Sequence, residues 1–180
     1  MNIYEISADI DHYQILVPVD ENDYDGSNLW VNGQLKLSSW HAPTMRWSEK
    51  EKESELAPDI ARINPGFYAF SNKAIGALGP LIEEFGELLK LPVDGKMYYA
   101  FNPTAIIDCI DQEKTEWRIN RQGKRGRLIK IALTKSKLGN EEIFQLPEIH
   151  SKLYVTEKLM EAIKEHNISG LVFKPVELAE

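Results

Sequence analysis

The sequence predicts an α+β domain made of antiparallel strands and hairpins, with two main helices near residues 72–85 and 157–166. Two stretches each pass from an apolar run through a hydroxyl residue into a helical repeat of apolar residues. Dipeptides typical of tight hairpin turns stand at Asn32-Gly33 and Asp94-Gly95. Short strands joined by turns, with few helices among them, indicate the α+β class.

A chain of 180 residues can bury a core of its own. We divide it into an N-terminal strand and hairpin part, residues 1–66, and a C-terminal α+β core, residues 67–180, which together form one compact domain. The start, MNIYEISADIDHY, does not have the pattern of a signal peptide, and no apolar run approaches the roughly 20 residues of a membrane helix. The lone Cys109 cannot form an internal disulfide, so we expect a cytoplasmic protein without a membrane partner.

The N-terminal part should contain two short strands, at residues 3–6 and 13–19, followed by an acidic loop, DENDYDGS. In this loop Asp20, Glu21, Asp23 and Asp25 are candidates for contact with a partner. Its spacing is close to that of a calcium loop, but position one is not Asp and the last position lacks a glutamate, so we expect no metal.

After the acidic loop, Asn32-Gly33 predicts a hairpin between LWV and QLKL. Trp40, His41 and Trp47 come next, and they either line a pocket or pack a satellite core, which is the interpretation we favour.

In the third region, Ser71 should cap a helix whose apolar face repeats at intervals of three and four residues. Gly79-Pro80 should interrupt or kink that helix, because proline lacks the N–H donor and clashes with the preceding turn. Asp94-Gly95 should then make a hairpin. Farther on, Cys109 lies in an apolar context that predicts a buried thiol.

Two pairs of alternatives concern charged residues. Asp108 and Asp111 could share a helical face for metal or acid–base chemistry, but hydrogen bonding to a backbone turn is the better interpretation. The basic segment 118–130 could follow a phosphate backbone, or it could form a solvated hairpin between strands at 116–120 and 127–133. We favour the hairpin, since a net charge of −7 argues against a general nucleic-acid binder and suits a basic protein partner.

The C-terminal stretch, residues 143–176, should run strand, helix, turn, strand. Thr156 can cap the helix, and Asn167 can take the left-handed conformation that closes it. Residues 67–93 follow the same order, from an apolar run with a tyrosine through a hydroxyl cap to a helix, a glycine, an apolar run and Pro-Val. This parallel has two explanations, an old duplication or convergence on the same strand-helix-strand pattern.

The C-terminal stretch also resembles an immunity-protein family of bacterial polymorphic toxin systems. The residues that match are Ile143, Phe144, Leu146, Pro147, Tyr154, Val155, Thr156, Gly170, Leu171, Phe173, Pro175 and Val176. A second match, at Gly86, Glu87, Leu88, Leu91 and Pro92, departs slightly in spacing at Leu89-Lys90. The resemblance extends over about residues 67–176 and is weaker over the first 60.

The resemblance implies a protein that binds a cognate toxin domain and blocks it stoichiometrically, without turnover and without a cofactor. The toxin would be a basic nuclease if charge complementarity guides the pair, and the acidic loop would then contact it. The residues themselves give no support to an enzyme, because the four histidines form no metal-binding pair and no nucleophile motif is present. The alternative function is a nucleic-acid-binding or regulatory module that uses segment 118–130.

Overall fold

Two four-stranded antiparallel sheets and two helices form the body of the protein, as the α+β prediction required. The computed structural model describes residues 1–24, 27–52, 55–147 and 149–180. The strands are β1 (Ile3–Ala8), β2 (Leu16–Pro18), β3 (Met45–Trp47), β4 (Ile60–Asn64), β5 (Phe67–Ser71), β6 (Gly86–Val93), β7 (Lys96–Pro103), β8 (Glu116–Ile119), β9 (Arg125–Lys130), β10 (Ala132–Thr134), β11 (Ile143–Leu146), β12 (Ile149–Thr156), β13 (Leu171–Pro175) and β14 (Glu177–Ala179). The helices are α1 (Asn72–Ile82) and α2 (Glu157–Glu165), and 3₁₀ turns cover Glu21–Tyr24, Ser27–Leu29, Glu83–Phe85 and Lys135–Lys137.

The first sheet has the order β4-β5-β7-β6 and the second sheet has the order β11-β12-β1-β13. Each neighbouring pair within these two sheets is antiparallel. Smaller pairings join β2 to β3 and β8 to β9 in antiparallel fashion, and β10 to β14 in parallel. Neither α1 nor α2, the helices of the described residues, is long and apolar enough to cross a membrane.

The two sheets share one topology. In the first unit, the hairpin β4-β5 leads through α1 to the edge strand β6, and β7 is inserted between β5 and β6. In the second unit, the hairpin β11-β12 leads through α2 to the edge strand β13, and β1 is inserted between β12 and β13. The second unit therefore has the strand arrangement of the first unit with one difference. The strand inserted into the sheet comes last in the sequence of the first unit, as β7, and first in the sequence of the second unit, as β1. An internal duplication followed by permutation produces such an arrangement.

Matching positions of the two units lie in one core. The shared core contains the pairs Ile60 and Ile143, Tyr68 and Leu153, Phe70 and Val155, Ala74 and Leu159, Leu78 and Ile163, and Phe101 and Ile6. The two helices pack against each other here, and each begins at a hydroxyl cap. Ser71 Oγ accepts a hydrogen bond from the Ala74 N–H at 3.2 Å, and Thr156 Oγ1 accepts from the Leu159 N–H at 3.3 Å. Both caps were predicted and are confirmed.

The opposite face of the first sheet is covered by the described residues of 16–47, here called the N-terminal layer. Its inward side chains are Leu16, Leu29, Val31 and Met45, with Trp40 and Trp47 packed beside them. Trp40 Nε1 donates to the Lys90 carbonyl oxygen at 2.8 Å, which fixes the layer to β6. The two tryptophans thus belong to a satellite core, as expected, while His41 is exposed.

Two details of the prediction are wrong. No strands flank Asn32-Gly33, because the backbone on its C-terminal side binds Glu87 of the first sheet instead of a hairpin partner. The predicted interruption at Pro80 is also wrong, since helix α1 continues to Ile82, while a kink there stays a prediction. Leu78 and Ile82 on either side of this proline are fully buried, and burying two such side chains offsets the ~3 kcal/mol that an interior proline costs. The hairpin at Asp94-Gly95 is confirmed.

Candidate partner-binding surface

The acidic turn (Asp20, Glu21 and Asp23) follows β2 at the outer surface of the N-terminal layer. Asp20 Oδ1 accepts from the backbone N–H and the side-chain amide of Asn22, at 2.9 and 2.8 Å. The Asp20 carbonyl oxygen accepts from the Asp23 N–H at 3.1 Å, which closes the 3₁₀ turn. An aspartate that caps its own turn in this way holds the loop in one conformation. Asp25, the fourth predicted residue, lies outside the described residues.

The acidic turn keeps its charge toward solvent. Asp20 and Glu21 are exposed and Asp23 is half-buried. Within the described part of the chain, none of the three carboxylates forms an ion pair with a lysine or arginine. They are consequently available to a cationic surface of another molecule.

Apolar side chains are exposed on the same layer. Val19, Trp30, Leu35 and Leu37 each expose more than half of their surface. Val19 directly precedes the acidic turn. Trp30 directly follows the 3₁₀ turn Ser27–Leu29, which packs against the acidic turn. Large exposed apolar side chains grouped within 19 residues, with carboxylates beside them, have the composition of a protein-binding surface.

A half-buried carboxylate, that of Glu87, holds residues 36–37 of this surface. Glu87 Oε2 accepts from the Lys36 N–H at 2.6 Å, and Glu87 Oε1 accepts from the Leu37 N–H at 3.1 Å. Asn102 Nδ2 donates to Glu87 Oε2 and to the Gln34 carbonyl oxygen, both at 2.8 Å. Desolvation would raise the pKa of Glu87, but these donors outweigh it and keep the pKa below its ordinary value. Glu87 therefore stays ionised and fixes Leu35 and Leu37 at the surface.

The basic segment forms a second exposed surface, the ribbon β8-β9. Residues 116–130 contain six lysines or arginines and one glutamate, a formal charge of +5 in a chain of net charge −7. Most of the ribbon's side chains are exposed, and Arg125 lies over the Trp117 ring at 5.7 Å from its centroid. The predicted hairpin is confirmed, with its second strand beginning two residues earlier than expected.

Cys109 and Asp111, two of the candidate catalytic residues, have structural roles. Cys109 is fully buried, and burial raises the pKa of its thiol to about 11, so the reactive thiolate is suppressed at neutral pH. Asp111 Oδ1 accepts from the N–H groups of Glu113 and Lys114 at 3.0 and 2.8 Å, the backbone-turn role that was favoured. Across the described residues, no cluster of three or more histidine, cysteine or carboxylate side chains could hold a metal ion.

Sequence reasoning missed the exposed side chains of Trp30, Leu35 and Leu37, because an apolar run flanking Asn-Gly looks like a pair of half-buried strands. It also missed that each helix cap is followed two residues later by a lysine, at Lys73 and Lys158. That spacing is visible in the sequence, and its meaning becomes clear only from the contacts described below.

Comparison with known protein families gives a match. A family model described as "Immunity protein family (Imm11)" matches residues 89–178, which is half of the chain. The matched part includes the ribbon β8-β9 and most of the second unit, whereas the acidic turn lies before it. A search of curated proteins finds no match.

Proposed function

This chain belongs to the Imm11 immunity protein family, and on that premise we propose that it binds a cognate bacterial toxin domain and neutralises it. The mechanism is stoichiometric protein–protein association without turnover. Family membership is the single observation that carries this proposal, since an immunity protein acts by occupying its toxin.

For the contact surface we propose the acidic turn together with Asp25 and the apolar side chains beside it. Asp20, Glu21 and Asp23, which form no ion pair among the described residues, suit a toxin with a basic surface, such as a nuclease that binds phosphate backbones. Long-range attraction would accelerate the encounter, and Trp30 and Leu35 would supply apolar contact once the partners dock. This division of roles predicts that the charges act mainly on the association rate.

The first test is capture of the partner with the tagged full chain from its native cells, at low and moderate salt. We expect one stoichiometric protein that is toxic when expressed alone and harmless when co-expressed with this chain. Recovery of salt-removable nucleic acid in place of such a protein would contradict the proposal and favour the ribbon β8-β9 as a nucleic-acid surface.

The second test measures association kinetics with the captured toxin. The variant D20N/E21Q/D23N/D25N should associate about tenfold more slowly at low salt and show a flatter salt dependence. A matched control removes four exposed carboxylates elsewhere on the surface, in D11N/E84Q/E113Q/E165Q. Equal rates for the two variants would exclude the acidic turn from the interface without excluding the immunity function.

A further inference from the structure

The first unit holds a peptide segment in a polar clamp. Asp59 stands immediately before β4, and its Oδ2 accepts from the backbone N–H and the hydroxyl of Ser169, at 3.0 and 3.1 Å. The Ser169 carbonyl oxygen accepts from the Ile60 N–H at 3.0 Å. Lys73 Nζ donates to the Asn167 carbonyl oxygen at 2.8 Å and to Asp59 Oδ2 at 2.9 Å. The segment 167–169 is thereby held by hydrogen bonds at both of its ends, as a bound peptide would be.

The second unit repeats the residues that make this clamp. Glu142 stands immediately before β11, as Asp59 does before β4. Thr156 donates its hydroxyl hydrogen to Glu142 Oε2, and Lys158 Nζ donates to Glu142 Oε1 at 2.7 Å. The two clamps also agree in the exposure of their charged side chains. Asp59 and Glu142 are 17% and 15% exposed, and Lys73 and Lys158 are 55% and 65% exposed.

The carboxylate of the second clamp accepts no hydrogen bond from a backbone N–H of the described chain. Among the described residues, Thr156 and Lys158 are the only donors to the Glu142 carboxylate. Glu142 Oε1 thus has one donor where Asp59 Oδ2 has three. A cavity of about 330 Å³ opens beside the pair, lined also by Met1, Gly139, Asn140, Glu157 and Glu161. The chain's own first residues border this cavity without reaching Glu142, since the Asn2 carbonyl oxygen accepts from the Glu157 N–H at 2.9 Å.

We propose that this cavity is a peptide-binding site that accepts a short segment of another molecule as the first clamp accepts residues 167–169. The Glu142 carboxylate would accept from the N–H and hydroxyl of a serine or threonine, and Lys158 would donate to the carbonyl oxygen two residues before it. Glu157 and Glu161 add negative charge to the cavity wall, so the preferred peptide is neutral or basic. The site lies within the part of the chain that matches the family.

The test uses the full chain, labelled with ¹⁵N, and the peptide acetyl-His-Asn-Ile-Ser-Gly-amide, which has the chain's own clamped sequence. Short peptides pay a large entropic cost on binding, so a dissociation constant of ~1–10 mM is expected. Chemical shifts should move at residues 142–143 and 156–161. Lys158→Ala should weaken the affinity roughly fivefold, and replacing the peptide's serine by alanine should do the same.

Lys164→Ala, an exposed lysine later in the same helix, is the matched control and should leave the affinity unchanged. Equal thermal unfolding of the two variants would show that Lys158→Ala is folded. The proposal is overturned if the peptide causes no shifts at ~10 mM, if the shifts lie at residues 59–73, or if they do not depend on Lys158. These outcomes do not depend on a toxin, so they separate this site from the proposed immunity function.

Discussion

Removal of the carboxylate from each clamp should cost different amounts of stability, and the structure gives the reason. Asp59→Ala leaves the N–H and hydroxyl of Ser169 and the hydroxyl of Ser71 without their acceptor. Partly buried hydrogen bonds of this kind contribute about 1 kcal/mol each, and the exposed Lys73 adds less than 1 kcal/mol. We expect a loss of about 2–4 kcal/mol in the free energy of unfolding.

Glu142→Ala is the matched comparison. It removes one hydroxyl contact and one ion pair with a lysine that is 65% exposed, so the expected loss is about 1–2 kcal/mol. Urea unfolding followed by tryptophan fluorescence at pH 7 would measure both losses as shifts of the midpoint at constant slope. Equal losses, or a loss below about 0.5 kcal/mol for Asp59→Ala, would refute the claim that the first clamp is filled and the second is empty.

The contribution of the Asp59 carboxylate to the free energy of unfolding depends on pH, and the sign of this dependence follows from its pKa. Burial would raise the pKa of Asp59, but hydrogen bonds from Lys73 and Ser169 outweigh it and lower the pKa below 3.8. A lowered pKa contributes stability that is fully present above the unfolded value and is lost as the pH falls through the folded value. The difference between wild type and Asp59→Asn should therefore be constant from pH 5 to 7 and should shrink below about pH 3.8.

Two further predictions concern a thiol and a turn. Cys109 is fully buried with its pKa raised to about 11, so a thiol reagent at pH 8 should label it slowly in the native protein and completely after unfolding; rapid native labelling would show that the site opens. Gly66→Ala should lower the free energy of unfolding by about 2–4 kcal/mol, because φ is +78° and the added Cβ would meet the His150 carbonyl oxygen. Gly95→Ala, with φ of +73° and open space, should cost about 1 kcal/mol, and equal losses in the two variants would contradict the steric argument.

Local signals in the sequence were enough to place the helices and two hairpins. Ser71 and Thr156 could be recognised as caps because a hydroxyl before a helical repeat has one favourable role there. Asn167 was expected in the left-handed conformation, and its φ is +50°. In each of these cases the interacting groups lie within a few residues of each other.

The candidate surfaces depend on contacts that no local pattern contains. Asp59 meets Ser169 across 110 residues, and Lys36 meets Glu87 across 51. The Asn32-Gly33 turn failed for the same reason, since a distant carboxylate binds the backbone that a hairpin partner would have bound. Which apolar side chains stay exposed, as Trp30 does, follows from these distant anchors.

The position of β1 has a consequence for how the protein is synthesised. β1 lies in the middle of the second sheet, where Ile3 pairs with Thr156 and Tyr4 pairs with Pro175. Strand β1 thus waits for its partners until residues 153–175 have been translated. The first unit, whose strands are close in sequence, can fold during that interval and present its core as a template, because local contacts form faster than distant ones. Closure of the second sheet then follows the folding of the first unit.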